Sequence, residues 1–152
     1  MSEPALICDT GALLEYVSSR SPDHGAFRAA IDAARTRYVP GLVLAEVDYF
    51  LRDEREAMRA LLDDLREGAF TYAEPTLPLL LRAAAIDRAY ADLGIGLVDA
   101  SIVALAELVG VTRIATRDVR HFTAARLRDG RAFDLVVRPS RLQKPPRRGK
   151  QR

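Results

Sequence analysis

The stretch that decides the fold is residues 96–122, GLVDASIVALAELVGVTRIATRDVRHF. Residues 99–109 are apolar almost all round, the pattern of a buried helix rather than an amphipathic one. Gly110 is a helix stop. Residues 113–116 then read as a short buried strand that ends in Arg117-Asp118. Two carboxylates bracket this unit, Asp99 where the helix opens and Asp118 where the strand exits. Singly each has an ordinary explanation, because aspartate is a favoured N-cap and a favoured turn residue. The pair gains meaning only if other acids arrive at the same place.

Working outward, short apolar runs alternate with helical patterns. Residues 5–8 form a first strand, followed by Asp9-Thr10-Gly11 and a short helix over 12–16. Ser21-Pro22 opens a helix whose stripe is Phe27, Ala30, Ile31 and Ala34. Residues 37–39 are a second strand, ended by Pro40-Gly41. Helical patterns cover 42–51 and 52–67, Gly68 stops them, and 70–73 is a third strand. Thr76 caps a helix running to Leu93, where Gly94 ends it. Residues 133–137 are a fifth strand. This alternation predicts an α/β fold, a central parallel sheet of about five short strands with helices on both faces.

The 152 residues, 49% hydrophobic and 29% charged, fit one globular domain with a sizeable core. The net charge of +2 is unevenly placed. Seven of the 23 basic residues and none of the 21 acidic ones lie in residues 138–152, which leaves a body of net charge −5. The expected division is therefore a domain over residues 1–137 and a basic, disordered tail over 138–152. Cys8 is the single cysteine, which excludes a disulfide framework and a cysteine-based zinc site and suits a reducing cytoplasm. No apolar run approaches the ~20 residues that cross a bilayer, and the N-terminus does not read as a signal peptide.

In open parallel sheets, ligands bind beyond the carboxyl ends of the strands. Asp9 follows the first strand and Asp118 the fourth. Glu46 is more telling. At ~100° per residue its neighbours on the helical wheel are Leu42, Val43, Tyr49 and Phe50, so it lies inside an apolar arc, whereas Asp48 lies on the other side. An unpaired buried carboxylate costs several kcal/mol, which a cation or a convergent polar site would remove. Asp99 repeats the pattern, one acid opening an apolar helix. Asp9, Glu46, Asp99 and Asp118 thus form an oxygen-only set, the donors that Mg²⁺ or Mn²⁺ prefer. Such an ion activates water and polarises phosphoryl oxygens, and the reaction suggested is hydrolysis of a phosphodiester.

The succession DTGALL (9–14), LAEVDYF (44–50), LVDASIVALAE (97–107) and ATRDVRHF (115–122) resembles the PIN-domain nucleases, and among them the VapC-type toxins of bacterial toxin–antitoxin pairs. The resemblance spans roughly residues 5–137. It implies a PIN-like three-layer fold and Mg²⁺-dependent endoribonuclease activity. Asp9, Glu46, Asp99 and Asp118 match the family's four acids, and Thr10 and Thr116 match hydroxyl positions that support them. It further implies RNA as substrate, a small antitoxin protein as partner and a homodimer. The basic tail lies outside the family pattern.

Arg117, Arg120 and His121 surround Asp118 and are candidate substrate contacts, or for the arginines a balance to the local acids. Cys8 reads as a small core residue, and His24 as an exposed helix residue. Glu107 is rotated by about 80° from Asp99 on the wheel and stays outside the acid set. An aspartate after the first strand also marks phosphatases and phosphotransfer domains. The former want a second aspartate two residues on, where this chain has Gly11. The latter want a lysine late in the sheet, and the only lysines are Lys144 and Lys150. A non-catalytic PIN-like module that binds RNA or a partner is the other alternative, against which the complete set of four acids speaks.

Overall fold

The computed structural model describes residues 4–140. Five strands, β1 (Leu6–Cys8), β2 (Arg37–Pro40), β3 (Thr71–Ala73), β4 (Arg113–Ala115) and β5 (Asp134–Leu135), form one parallel sheet in the order β3-β2-β1-β4-β5. Among the described residues seven α-helices flank it: α1 (Thr10–Val17), α2 (His24–Ala33), α3 (Gly41–Phe50), α4 (Arg55–Arg66), α5 (Leu77–Ala89), α6 (Gly96–Val109) and α7 (Val119–Ala124). Successive side chains of a strand point to opposite faces, and Leu6, Ile7 and Cys8 of β1 are all 0% exposed. Both faces of the sheet are therefore covered at its central strand, as a parallel sheet requires. Among the described residues no helix is long and apolar enough to cross a membrane.

The strand order reverses at β1. The chain moves outward from β1 to β2 and β3, then returns to the other side of β1 to lay down β4 and β5. The crevice between the ends of β1 and β4 is the switch point of the sheet. Register brings its residues together. Cys8 pairs with Ala115, so Asp9 and Thr116 occupy the next rung, and the Asp9 N–H donates to the Ala115 carbonyl at 2.9 Å.

Helix α6 is the buried helix of the sequence, enclosed from Ala100 to Ala106 and closed by Gly110 in the left-handed region at φ 69°. It starts at Gly96, three residues before the expected position, so Asp99 stands in its first turn and caps nothing. Other boundaries moved for identifiable reasons. The helix expected from Ser21 begins at His24, and Asp23 at its cap position makes no capping bond because its carboxylate is engaged by Arg117 and Ser140. The long pattern over 52–67 begins at Arg55 after a turn, and the one ending at Leu93 stops at Ala89, followed by a 3₁₀ turn at Ala91–Leu93. Helix α7, capped by Asp118 through the His121 N–H at 3.1 Å, has no counterpart in the sequence reading. His24, expected to be exposed, is half-buried, with Nδ1 against the Glu15 carbonyl. Residues 141–152, most of the expected tail, lie outside the described residues. Ser140, near its start, is exposed but anchored: its N–H and hydroxyl both donate to Asp23.

Glu107 has a structural task at the far end of α6. It accepts from Arg82 Nε and Nη2 at 2.8 and 3.1 Å and from the Arg128 N–H at 2.6 Å. The Arg82 hydrogen bonds, joined by Arg128, hold its carboxyl below the usual range against the opposing effect of burial. A depressed carboxylate stabilises the fold above its unfolded pKa, and the contribution is lost as pH falls through the folded value. Glu107→Gln is expected to cost about 1–2 kcal/mol at pH 7, a figure discounted for the part-exposed Arg82. The gap to wild type in urea unfolding should narrow at pH values below about 4. An equal gap at pH 7 and in acid would show that the carboxylate charge contributes nothing.

Candidate active site

Four acids reach one cavity of about 450 Å³ from four different elements. Asp9 comes from the end of β1, Glu46 from the middle of α3, Asp99 from the first turn of α6 and Asp118 from the loop after β4. Thr10, Gly11 and Leu14 of α1 line it as well, with Phe50 and the segment from Ile95 to Val98 forming apolar wall.

Each acid is held by a neighbour that the chain geometry supplies. Asp9, 5% exposed, accepts from the Thr10 N–H at 2.7 Å and from the Thr116 hydroxyl at 2.6 Å. The same Thr116 oxygen accepts the Asp118 N–H at 2.9 Å, so one fully buried hydroxyl links the ends of β1 and β4. The Thr10 hydroxyl donates to Glu46 Oε1 at 2.7 Å. Glu46 is half-buried, and its wheel neighbours Tyr49 and Phe50 are 62% and 56% exposed. The apolar arc inferred around it is thus partly open surface, and its carboxylate is satisfied by Thr10 rather than stranded. Asp48 pairs with Arg55 at 2.8 Å on the outer side of α3.

His121 is the residue the sequence reading undervalued. The sequence offers it only as a candidate substrate contact, yet its Nδ1 lies 2.7 Å from Asp99 Oδ2 and 2.6 Å from Asp118 Oδ2. Helix α7 places it there: His121 is one turn past Asp118, and spacing of three residues puts both on one face. The missing signal was the helix itself, which is only six residues long. Among the described residues, one atom each of Asp99, Asp118 and His121 lie within 4.8 Å of one another. Asp9 and Glu46 line the same cavity but stand outside that trio.

Electrostatically the cluster is short of positive charge. Burial, reinforced by the charges of Asp118 and Glu46, pushes the Asp9 carboxyl up to about 6 despite its hydrogen bonds from Thr116 and Thr10. Burial and the charge of Asp9 push Asp99 up to about 7. Burial pulls the His121 imidazolium down, but its hydrogen bond to Asp99 and the charges of Asp118 and Asp99 outweigh that and raise it. A set of carboxylate oxygens that retains protons near neutrality is one into which a hard divalent cation fits.

The flanking arginines are placed differently. Arg117 does not line the cavity; its guanidinium is bound to Glu15, Asp23 and the Ser140 carbonyl. That matches the balancing of local acids weighed for it, not a free phosphate contact. Arg120 is exposed. Cys8 is 0% exposed beneath Asp9, and burial pushes its thiol up to about 12, so it is an inert core residue.

Comparison with known proteins identifies relatives of the chain and of its fold. Residues 6–127 match the PIN domain family model. Ribonuclease VapC26 of Mycobacterium tuberculosis is 37% identical over 134 residues, covering 86% of this chain and 99% of that protein. Two crystal structures share the fold at 15% identity. VapC20 of Mycobacterium tuberculosis, described as a Sarcin-Ricin loop cleaving toxin, superposes with a TM-score of 0.68 over 76% of this chain and 92% of its own. VapBC2 of Rickettsia felis, bound to a DNA fragment from its promoter, does so with a TM-score of 0.57 over 78% and 90%. The match over 6–127, the relative at 37% and the acids gathered at the switch point of the sheet together mean that this chain belongs to the PIN-domain family.

Proposed function

We infer that this protein is an endoribonuclease that hydrolyses RNA phosphodiester bonds as the toxin of a toxin–antitoxin pair, with Asp9, Glu46, Asp99 and Asp118 as its catalytic and metal-holding residues. The observation that carries the reading is the convergence of four carboxylates from four elements in one cavity, in a chain 37% identical to a protein named as a ribonuclease. The donor chemistry supports Mg²⁺, with Mn²⁺ as its substitute. What such an ion supplies is activation of water at neutral pH and neutralisation of phosphoryl charge.

The chain's own groups prepare the site. Thr116 orients Asp9 and fixes the Asp118 backbone, and Thr10 orients Glu46. His121 holds a proton at Nδ1 between Asp99 and Asp118, which limits their mutual repulsion. Arg120 is the remaining arginine beside the acids that is exposed for a phosphate. The partners that go with this reading are RNA, a small antitoxin protein and a second copy of the chain, in the cytoplasm.

The test is incubation of the purified protein with defined RNAs, with and without Mg²⁺, and mapping of the cut sites. Cleavage at discrete positions, stopped by EDTA and restored by Mg²⁺ or Mn²⁺, is the expected result. Cutting that persists unchanged in EDTA, or intact RNA in every metal and sequence tried, would remove the reading.

A further inference from the structure

We propose that Arg117 is a positioning residue of the acid site: it clamps helix α1 to the β4–α7 loop and thereby fixes Asp9 and Asp118 relative to one another. This rests on the nuclease reading of the acids. Thr116, Arg117 and Asp118 are consecutive, and the outer two serve the site directly, Thr116 through Asp9 and Asp118 as a wall of the cavity. The side chain between them does not line the cavity and runs along α1 instead. There its stem crosses Gly11, where a Cβ would stand 3.0 Å from Arg117 Cγ and 3.1 Å from Arg117 Cβ. One turn further along the same face of α1 lies Glu15. Arg117 Nη1 donates to Glu15 Oε1 at 2.8 Å and to Asp23 Oδ2 at 2.7 Å. Nη2 donates to the Ser140 carbonyl at 3.1 Å, and Ser140 returns its N–H and hydroxyl to Asp23. One guanidinium thus joins α1, the α1–α2 loop, the β4–α7 loop and the chain beyond β5.

The clamp is tight and demands arginine. The side chains of Arg117, Glu15 and Asp23 are only 16%, 9% and 11% exposed. Glu15 Oε2 is buried with no hydrogen-bond partner among the described residues, so Glu15 depends on Arg117 for its one side-chain bond. The guanidinium serves its three acceptors from two separate nitrogens, Nη1 and Nη2, a span that the single nitrogen of a lysine ammonium lacks. Both segments the clamp ties together carry site residues: Asp9 and Thr10 on one, Thr116 and Asp118 on the other. Groups that orient metal-holding side chains alter metal affinity or activity by about 10–100-fold when removed.

The test uses full-length Arg117→Gln and Arg117→Lys. Mn²⁺ affinity is measured by calorimetry without RNA, and kcat and KM for RNA are measured at saturating metal. Arg117→Gln is expected to weaken Mn²⁺ binding and lower kcat by about tenfold each, with KM for RNA unchanged and partial recovery in Arg117→Lys. If Arg117→Gln does not fold, the pair Glu15→Gln with Arg117→Gln, which leaves only the Asp23 carboxylate, still held by Ser140, without its cation, carries the same measurement. Unchanged Mn²⁺ affinity with a raised KM overturns the proposal in favour of a phosphate contact. Unchanged Mn²⁺ affinity and kcat with only a lower Tm overturns it in favour of a plain stabilising pair. If the wild type binds Mn²⁺ and cuts no RNA, the nuclease reading fails while the Mn²⁺ comparison still decides the clamp.

Discussion

Asp99→Asn is expected to lower Mg²⁺-dependent RNA cleavage by a factor on the order of 10²–10³, the scale of losing one group set against charge in a transition state. The fold should survive it, for reasons visible around the residue. Asp99 caps no helix and accepts from His121, and an asparagine oxygen can accept the same proton. Burial and the neighbouring Asp9 raise the Asp99 carboxyl to about 7, so without metal the folded protein holds a proton that the unfolded chain releases above about pH 4. That contribution to stability is present at low pH and declines as pH rises toward 7. His121 has the same slope: its raised pKa stabilises the fold below the unfolded value and the effect fades as pH rises through the folded one. EDTA-treated wild type should therefore lose stability between pH 5 and pH 8, and Asp99→Asn should lose less and equal or exceed it at pH 8. Urea midpoints at the two pH values measure this. A variant that keeps full Mg²⁺-dependent cleavage sinks the site, and one far less stable than wild type at pH 8 sinks the electrostatic account. Asp9→Asn makes a sharper contrast. It loses the same charge but places an amide against Thr10 and Thr116, whose hydrogen bonds to Asp9 the structure uses fully.

What could be read from the sequence was whatever leaves a periodic or local trace. Helix α6 announced itself through eight apolar positions among the eleven residues 99–109, and the short strands through the glycines and prolines between them. The acids were legible because each interrupts such a pattern or follows such a strand. The strand order was not, since nothing local in residues 37–40 or 113–115 says on which side of β1 they lie. The switch point, and with it the reason Asp9 and Thr116 touch, is a property of register. The Arg117 clamp escaped for the same reason. Its partners Glu15, Asp23 and Ser140 are spread across more than a hundred residues of chain, and no spacing rule connects them. Pairings with a short sequence separation were open to inspection and still missed where the element was short: His121 reaches Asp118 only because residues 119–124 coil into a helix. Glu46 shows the opposite error. A wheel shows which residues share a face, not whether that face is covered, and Tyr49 and Phe50 on it stay exposed.

Removal of residues 141–152 is expected to weaken RNA binding and flatten its salt dependence while leaving the chemistry intact. A cavity built from four acids, on a body of net charge −5 over residues 1–137, repels the phosphates it has to receive. Residues 141–152 carry Arg141, Lys144, Arg147, Arg148, Lys150 and Arg152 and no acid, and they are the densest positive charge in the chain. The structure describes none of them, but it describes where they begin. Ser140, the last described residue, is bound to Asp23 and Arg117, and Arg117 is the residue before Asp118. That sets the cut: truncation after Val137 would also remove Ser140 from Asp23 and disturb the clamp, whereas truncation after Ser140 isolates the charge. If all six cations meet phosphates of single-stranded RNA, the log–log slope of affinity against salt should shrink by about 4. The full chain would then lose roughly 10²-fold more affinity than the truncated one between 50 and 200 mM salt. Saturating RNA should restore wild-type kcat, because Asp9, Glu46, Asp99 and Asp118 are untouched. A truncated protein with the same affinity and the same slope would assign the capture of RNA to the exposed arginines of the domain, Arg120 and Arg138 among them.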